Sequence, residues 1–101
     1  MKFIILFEDE ANADPGIRET HMAEHLSFLE THSDNVVSAG PLTGSDGEGW
    51  GGLWIVDAAS VNEVERLVHE DPFWPTGLRK SYTILAWKQV YGAGRRLIYP
   101  D

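Results

Sequence analysis

The chain has 101 residues, which is enough for one small domain and too few for two. It contains no cysteine, and this excludes disulfides, thiolate metal sites and cysteine nucleophiles. A formal net charge of −8 argues against nucleic acid as a partner, because phosphate binding needs a basic surface.

The first predicted elements are a strand and a long helix. Residues 2–7 form a continuous apolar run, which is typical of a central strand covered on both faces. An acidic loop follows, and then Asp14 and Pro15 fit the N-cap and the first position of a helix. The apolar periodicity of that helix continues to about Ser33.

A β-hairpin is predicted next. Residues 36–39 and 50–56 have the composition of its two strands, and the glycine- and acid-rich residues 43–49 predict the loop between them. These glycines match no phosphate-binding motif that opens a helix. We therefore expect them to serve a tight turn and a close approach of backbone to backbone.

The last predicted elements are a second helix, a strand and a tail. Ser60 and Glu63 have the spacing of a capping box at the start of the helix. The helix is expected to end at Asp71, because the residue before a proline resists the helical conformation. Residues 81–91 predict the fourth strand, and residues 92–101 a C-terminal tail.

The resulting order, β-α-β-β-α-β, predicts an α+β fold of the ferredoxin-like kind, with both helices on one face of an antiparallel sheet. The other face of the sheet is then left open. Trp54, Ile84 and Trp87 supply more apolar surface than a solvated sheet face carries. We therefore expect two sheets to pack face to face in a homodimer.

Charge is distributed unevenly along the chain. Residues 1–71 hold fifteen of the sixteen acidic residues, whereas five of the eight basic residues lie within residues 79–96. One interpretation is solubility with a few surface ion pairs. The other is that the basic end pairs with the acidic part of a partner subunit.

The N-terminal apolar run gives an expectation about location. Only five apolar residues follow Lys2 before the acidic cluster begins, fewer than a signal peptide or a membrane span requires. We therefore expect a cytoplasmic protein that does not associate with membranes.

Five segments of the chain resemble, in order and spacing, those of the YCII-related (YciI-like) family. They are HLSFL at 25–29, AGPL at 39–42, GGLWIVD at 51–57, DPF at 71–73 with GL at 77–78, and Trp87. The resemblance covers residues 1–91, which we take as the domain, and sets residues 92–101 apart as the tail.

The resemblance implies a dimeric α/β barrel built from two ferredoxin-like units. It also implies a pocket in which His25, on the first helix, faces Asp71, in the loop after the second helix. The family includes a dehydrochlorinase of chlorinated aromatic breakdown, and its barrel is similar to those of muconolactone isomerases and cofactor-free monooxygenases. The resemblance therefore implies proton transfer on small cyclic or enol-like compounds, with no cofactor.

His25 and Asp71 are the candidate catalytic pair. An imidazole takes and returns protons near neutral pH, and a nearby carboxylate fixes its tautomer and favours its charged form. The residues alone also allow another interpretation, in which His25 is a core histidine hydrogen-bonded to the backbone and Asp71 only ends a helix. The family resemblance favours the pair. Arg18 lies with His25 near the centre of the apolar helix face. It either binds a carboxylate or enolate oxygen or pairs with a surface acid.

The other candidate substrate-binding residues follow the second strand and the second helix. They are Ser38, Gly40, Pro41, Pro72, Phe73 and Trp74. Aromatic residues in a loop bounded by prolines often form the wall of a ligand pocket, whereas we expect Trp54 and Trp87 in core and dimer packing.

A metal site is a further alternative that the histidines raise. His21 and His25 are spaced i,i+4, with His32 and either Asp71 or Glu24 as further ligands. The HExxH pattern is missing and no thiolate is available, so we expect no metal.

Three functions remain open from the sequence. The first is a cofactor-independent lyase or isomerase in which His25 is the general base or acid and Asp71 orients it. The second is a binding or regulatory module that uses the same pocket without turnover of a small-molecule ligand. The third is a structural or partner-interaction domain.

Overall fold

A computed structural model describes residues 1–99 of the chain and has an α+β architecture. Its main elements are β1 (Lys2–Asp9), α1 (Ile17–Thr31), β2 (Val36–Thr43), β3 (Gly49–Asp57), α2 (Val61–Glu70) and β4 (Arg79–Trp87). The four strands form one antiparallel sheet in the order β2-β3-β1-β4. This order confirms the predicted ferredoxin-like fold.

The hydrophobic core lies between the sheet and the two helices. β1 is a central strand, and its alternate side chains Phe3, Ile5 and Phe7 are buried beneath the helices. The remaining buried core residues are Trp54, Val56, Ala58, Val64, Leu67 and Val68. Each large side chain buried in this way stabilises the fold by about 1.5–3 kcal/mol.

The other sheet face carries no helix and remains apolar. Ile4 and Leu6 of β1 lie beside Ile55 and Leu53 of β3, all of them half-buried, and Leu85 of β4 is 47% exposed. We call this surface, completed by Trp87, the open face; its members are Ile4, Leu6, Leu53, Ile55, Leu85 and Trp87.

Two of the three side chains expected on the open face lie on the helix-covered face instead. Trp54 and Ile84 both pair with Ile5, whose side chain is fully buried. Side chains alternate along a strand, so a register one residue away would exchange the two faces. Trp87 pairs with Lys2 and is the one of the three that lies on the open face.

The start of α1 differs from the prediction. Asp14 Oδ1 accepts a hydrogen bond from the Gly16 amide at 2.9 Å, so a turn over residues 14–16 precedes the helix. Gly16 is the N-cap, and Pro15 lies outside the helix. The helix also ends at Thr31, two residues before the predicted end.

The second strand is longer than the predicted residues 36–39. It continues through Pro41 to Thr43 and pairs with β3 along this length. A proline is tolerated there because β2 is an edge strand, whose outward amides have no ladder partner. One half of the predicted capping box of α2 is present, since the Ser60 hydroxyl accepts from the Glu63 amide. The Glu63 carboxylate accepts instead from the amide of Ala59, one residue before the N-cap.

The C-terminal part of the chain forms a separate small hairpin. The fourth strand ends at Trp87, before the predicted end at Tyr91. Two short strands, β5 (Tyr91–Gly92) and β6 (Arg95–Arg96), then pair with each other. The two residues between them, Ala93 and Gly94, both have positive φ angles, which matches a type I′ hairpin turn. No helix within residues 1–99 is long and apolar enough to cross a membrane.

Candidate functional site

A cavity of about 120 Å³ lies between α1 and the middle of β2 and β3. Its walls are mostly apolar. Three ionisable side chains reach it, namely Arg18, His25 and Arg79. A small apolar cavity with a few convergent polar groups is the usual form of a small-molecule site.

Glycines on β2 and β3 make room for this cavity. A side chain at Gly51 would collide with the backbone carbonyl of Phe7, so only glycine allows β3 to approach β1 at this point. Gly52 and Gly40 line the cavity itself and leave its floor free of side chains.

His25 and Asp71 are hydrogen-bonded to each other at the inner end of the cavity. The distance from His25 Nδ1 to Asp71 Oδ1 is 2.8 Å. Asp71 is 1% exposed and His25 is 8% exposed, and His25 lines the cavity. Two residues that are forty-six positions apart in the chain therefore meet beside a space that a ligand can occupy.

Asp71 has a complete set of donors. Its Oδ1 accepts from the Phe73 amide at 3.1 Å as well as from His25, and its Oδ2 accepts from Arg79 Nη1 at 2.7 Å. The Asp71 carboxylate is therefore fixed in place as an acceptor.

These contacts set the charge of Asp71. Burial raises the pKa of the Asp71 carboxyl, but the hydrogen bond from His25, the charge of Arg79 and the Phe73 amide outweigh burial and leave the pKa below its ordinary value. Asp71 is therefore ionised at neutral pH. An ionised carboxylate is only an acceptor, so it selects the His25 tautomer that carries a proton on Nδ1.

The second ring nitrogen of His25 is free to meet a ligand. No hydrogen bond within residues 1–99 involves Nε2. Every fully buried side-chain nitrogen or oxygen in this range has a hydrogen-bond partner, so Nε2, which has none, is not fully buried. Nε2 is therefore in contact with the cavity. The ring packs against Phe73 at a centroid distance of 4.4 Å, and Trp54 lies nearly parallel to it at 6.4 Å.

Arg79 is the site residue that sequence analysis missed. Its side chain is 6% exposed, and its guanidinium stacks on the Phe7 ring at 3.8 Å while it pairs with Asp71. Burial lowers the pKa of Arg79, and the attraction of Asp71 opposes this effect. A buried carboxylate requires a positively charged partner, so a buried Asp71 would predict an arginine or lysine close to it. The sequence gives no means to choose Arg79 over Lys80.

Arg18 forms the ion pair with an acid that was one of the two alternatives for it. Its Nη1 pairs with Asp9 at 2.6 Å, and its Nη2 donates to the Gly51 carbonyl at 3.2 Å. Arg18 lines the cavity at the same time. Both guanidinium groups of the site are thus matched by a carboxylate.

The remaining predicted residues divide into two groups. Gly40, Pro41 and Phe73 line the cavity together with His25 and Arg18. The residues that lie outside its lining are Ser38, Pro72 and Trp74.

Strand register and loop geometry explain why two of these lie elsewhere. Ser38 pairs with Ile55, so its side chain is on the open face of the sheet. Trp74 begins a short 3₁₀ turn and packs against His69 and Tyr82, at centroid distances of 4.5 and 5.6 Å. In the part of the chain that the structure describes, no group of three or more histidine, aspartate or glutamate residues is placed to hold a metal ion.

Comparison with protein families gives a clear assignment. The model of the YCII-related domain matches residues 1–88. The chain belongs to the YCII-related family. The match ends one residue after β4, and the β5–β6 hairpin lies beyond the matched residues. No curated protein matches this chain.

Solved structures similar to this YCII-related chain include an enzyme with a bound small molecule. It is 5-chloro-2-hydroxyhydroquinone dehydrochlorinase (TftG) from Burkholderia phenoliruptrix AC1100, in complex with 2,5-dihydroxybenzoquinone. The two chains are 29% identical, with a TM-score of 0.72 over 87% of this chain and 94% of TftG. A second structure, At3g17210 from Arabidopsis thaliana, is 10% identical with a TM-score of 0.47 over 91% of this chain and 97% of that one.

Proposed function

We propose that this YCII-related protein is a cofactor-independent lyase or isomerase that moves a proton on a small cyclic compound with an acidic hydroxyl or enol-like group. The observation that carries the proposal is His25, bound on one nitrogen by a buried carboxylate and open on the other to an apolar cavity. The similarity to TftG supports the reaction class, because TftG is a dehydrochlorinase and its structure holds a dihydroxybenzoquinone.

In this proposal Nε2 of His25 is the general base. Asp71 and Arg79 hold the proton on Nδ1, so the lone pair of Nε2 is available to take a proton from the ligand. In an elimination, the leaving group departs with its electron pair as that proton is removed. In an isomerisation, His25 returns the proton at another atom of the ligand.

The cavity sets the size and shape of the substrate. A protein cavity of roughly 150 Å³ accepts benzene. The space of about 120 Å³ beside His25, which is open at its mouth, therefore suits a single six-membered ring. Phe73 and Trp54 supply aromatic walls for such a ring.

Arg18 is the group that meets negative charge on the substrate. Its guanidinium lies at the cavity wall and is more exposed than that of Arg79, with 34% of its side chain accessible against 6%. A planar guanidinium suits an enolate or phenolate oxygen. Deprotonation by His25 would then be favoured, because Arg18 stabilises the anion that forms.

The proposal includes a homodimer formed through the open face. This face is an apolar surface on the three adjacent strands β3, β1 and β4, and no helix within residues 1–99 covers it. Packing against a second copy would remove it from water. Sedimentation at micromolar concentration measures the result: a dimer is expected, and a well-folded monomer would contradict this part of the proposal.

The decisive experiment follows chemistry on a probe in the wild type and in two variants. The probes are 5-chloro-2-hydroxyhydroquinone, with release of chloride as the readout, and 2,5-dihydroxybenzoquinone, with exchange of its ring protons for solvent deuterium. His25→Gln removes the base and is expected to lower either rate at least a hundredfold. His21→Gln, on the same helix but outside the cavity lining, is the matched control and is expected to retain the rate.

The competing function, a binding module without turnover, gives a different outcome. The probe would bind to the wild type, would be recovered unchanged, and would bind more weakly to His25→Gln. Binding with no chloride release and no exchange would favour that module. If no small ring compound binds and none is turned over, the proposed site has no support.

A further inference from the structure

The chain ends in an arm that has no partner in its own domain. We call residues 88–99 the arm; it contains β5 and β6 and is closed by a hydrogen bond of 2.9 Å from the Leu97 amide to the Val90 carbonyl. Within residues 1–99, no hydrogen bond, ion pair or aromatic contact joins residues 91–99 to residues 1–87. The arm nevertheless presents large apolar side chains to solvent: Val90, Tyr91, Leu97, Ile98 and Tyr99.

The arm also differs in charge from the domain that carries it. It contains Lys88, Arg95 and Arg96 and no acidic residue. Residues 1–87 hold fifteen acidic and five basic residues, a formal charge of −10. A basic, partly apolar segment beside a strongly acidic domain has the complementarity that guides protein association.

A cleft of matching character lies at the far end of the sheet. It measures about 390 Å³ and is formed by the residues that connect β1 to α1, together with Trp50 and Leu78. Three acidic residues, Glu8, Glu10 and Asp14, lie at its rim, and Trp50 is 48% exposed. No residue from 1 to 99 forms an ion pair with Glu10 or Asp14. We call this space the acidic cleft.

The arm is too far from the acidic cleft of its own chain to fill it. The arm leaves the sheet at Trp87, which pairs with Lys2, whereas the cleft is at the other end of β1, where Glu8 pairs with Ser81. Ser81 and Trp87 are six residue steps apart on β4, which corresponds to about 20 Å along the strand. A hairpin with two residues in each strand does not span that distance.

We propose that the arm of one copy docks in the acidic cleft of a second copy. When two sheets face each other with their strands antiparallel, the Trp87 end of one lies over the Ser81 end of the other. Such a two-fold arrangement brings each arm to the cleft of its partner and forms two equal contacts. Arg95 and Arg96 then meet Glu10 and Asp14, and the apolar side chains of the arm meet Trp50.

This docking connects the partner to the candidate active site. Arg18 lines both the cavity beside His25 and the acidic cleft, and its partner Asp9 forms part of the cleft wall. An arm in the cleft covers the outer side of this ion pair. The inference rests on the homodimer of the proposed function, and it adds that each site is completed by a segment of the other chain.

Cross-linking tests the contact directly, because the protein has no cysteine of its own. The variant Arg96→Cys/Glu10→Cys is treated with a short bis-maleimide. The proposal expects a covalent dimer on a denaturing gel. The matched control, Arg96→Cys/Glu30→Cys, places the second cysteine on an exposed position of α1 away from the cleft and is expected to give none.

Charge reversal gives an independent measurement. Arg96→Glu and Glu10→Arg are each expected to raise the dissociation constant of the dimer about tenfold at low salt, and the combined variant is expected to restore it. The effect should shrink at high ionic strength, where exposed charges are screened. Arg66→Glu, an exposed arginine on α2, is the control and should change little.

Three outcomes would overturn the inference, and they are distinguishable. A wild type that sediments as a monomer contradicts the homodimer itself. A dimer that yields no covalent product from Arg96→Cys/Glu10→Cys leaves the homodimer standing and excludes the arm contact. A cross-link within one chain, seen as a monomer that has gained the mass of the linker, shows that the arm folds back onto its own domain.

Discussion

The carboxylate of Asp71 is surrounded by three donors and has no contact with solvent. His25, Arg79 and the Phe73 amide account for both of its oxygens. At the scale of single residues, the properties of the site depend on this arrangement. It orients the imidazole, keeps the proton on Nδ1 and leaves Nε2 to the cavity.

The pKa of Asp71 makes a prediction about stability. A carboxyl whose pKa is lower in the folded than in the unfolded state contributes stability at neutral pH, and this contribution is lost as the pH falls below about 4 and passes the folded pKa. Asp71→Asn removes this contribution to stability and leaves the buried Arg79 without a carboxylate partner. We expect the free energy of unfolding at pH 7 to fall by about 3–5 kcal/mol.

Urea unfolding at several pH values measures both effects. The difference in the free energy of unfolding between Asp71→Asn and the wild type should narrow as the pH falls below about 4, because the wild type loses the same contribution there. Asp57→Asn is the control, since that carboxylate forms an exposed ion pair. An equal deficit at every pH would argue against an ionised Asp71 in the folded protein.

Arg79 provides a second prediction at this scale. Arg79→Met keeps much of the side-chain volume but removes the cation, and this raises the pKa of Asp71 because one of the causes that lower it is lost. We expect a loss of stability of about 3 kcal/mol or more and a fall in turnover at neutral pH. Arg79→Lys keeps the charge but lacks the planar group that stacks on Phe7.

Comparison of these variants separates charge from stacking. If charge dominates, Arg79→Lys should recover more than half of the stability that Arg79→Met loses. Carbon-13 NMR of the Asp71 carboxyl provides the direct readout, and a pKa unchanged in Arg79→Met would contradict the role given to this arginine.

At the scale of elements, glycine positions on β3 decide how close the strands come. A methyl group at Gly51 would collide with the Phe7 backbone, whereas one at Gly40 on β2 would meet no atom within 4 Å. We therefore expect Gly51→Ala to destabilise the protein by about 3 kcal/mol or more and Gly40→Ala by less than about 1 kcal/mol.

Thermal unfolding of Gly51→Ala and Gly40→Ala measures these stability losses, and turnover is a second readout. Gly40 lines the cavity with its backbone. Its pairing with Leu53 places an added methyl group on the open face, so Gly40→Ala should keep both the fold and the ligand affinity. Equal stability losses in the two variants would show that the strands adjust to a side chain at Gly51.

Element order and the start of α2 are what the sequence predicts well here. The apolar periodicities locate all four strands and both helices of the sheet domain, and the Ser60–Glu63 spacing locates the start of α2. Local signals suffice for these features, because each depends on residues that are near one another in the chain. The extension of β2 through Pro41 depends instead on its position at the sheet edge, which is a property of the whole sheet.

The faces of the strands and the identity of Arg79 require non-local information. A register one residue away would place Trp54 on the other face, and register is set by pairing between distant strands. His25 and Asp71 were expected together because of the family resemblance, and their contact depends on α1 and α2 lying side by side. Arg79 reaches Asp71 only because β4 begins beneath that loop, and no spacing in the sequence reports this.

At the scale of the whole molecule, the proposed dimer would cover three surfaces: the open face, the arm and the acidic cleft. The domain is small, and one sheet face carries half-buried and exposed apolar residues where a larger protein would place another layer. The molecule measures 51 × 32 × 20 Å, an elongated shape for a chain of this length. In the proposed dimer, a single two-fold association would cover the open face and bring each arm to a cleft.

The open face supplies the last prediction. Leu85 is 47% exposed on β4, the edge strand that carries part of this face, beside Ile4 of β1. Leu85→Lys places a charge where the second sheet is expected to pack, and desolvation of an unpaired ammonium is costly. We expect the dimer to weaken by about 2 kcal/mol or more, which is roughly a thirtyfold increase in its dissociation constant.

The control for this prediction is Val61→Lys, at an equally exposed apolar position on α2. Sedimentation equilibrium of both variants and of the wild type gives the dissociation constants, and circular dichroism checks the fold. Because the lysine at position 85 is tolerated by an isolated sheet, Leu85→Lys should remain folded as it dissociates. A dimer of unchanged affinity would mean that the chain associates through another surface and that the open face has a different occupant.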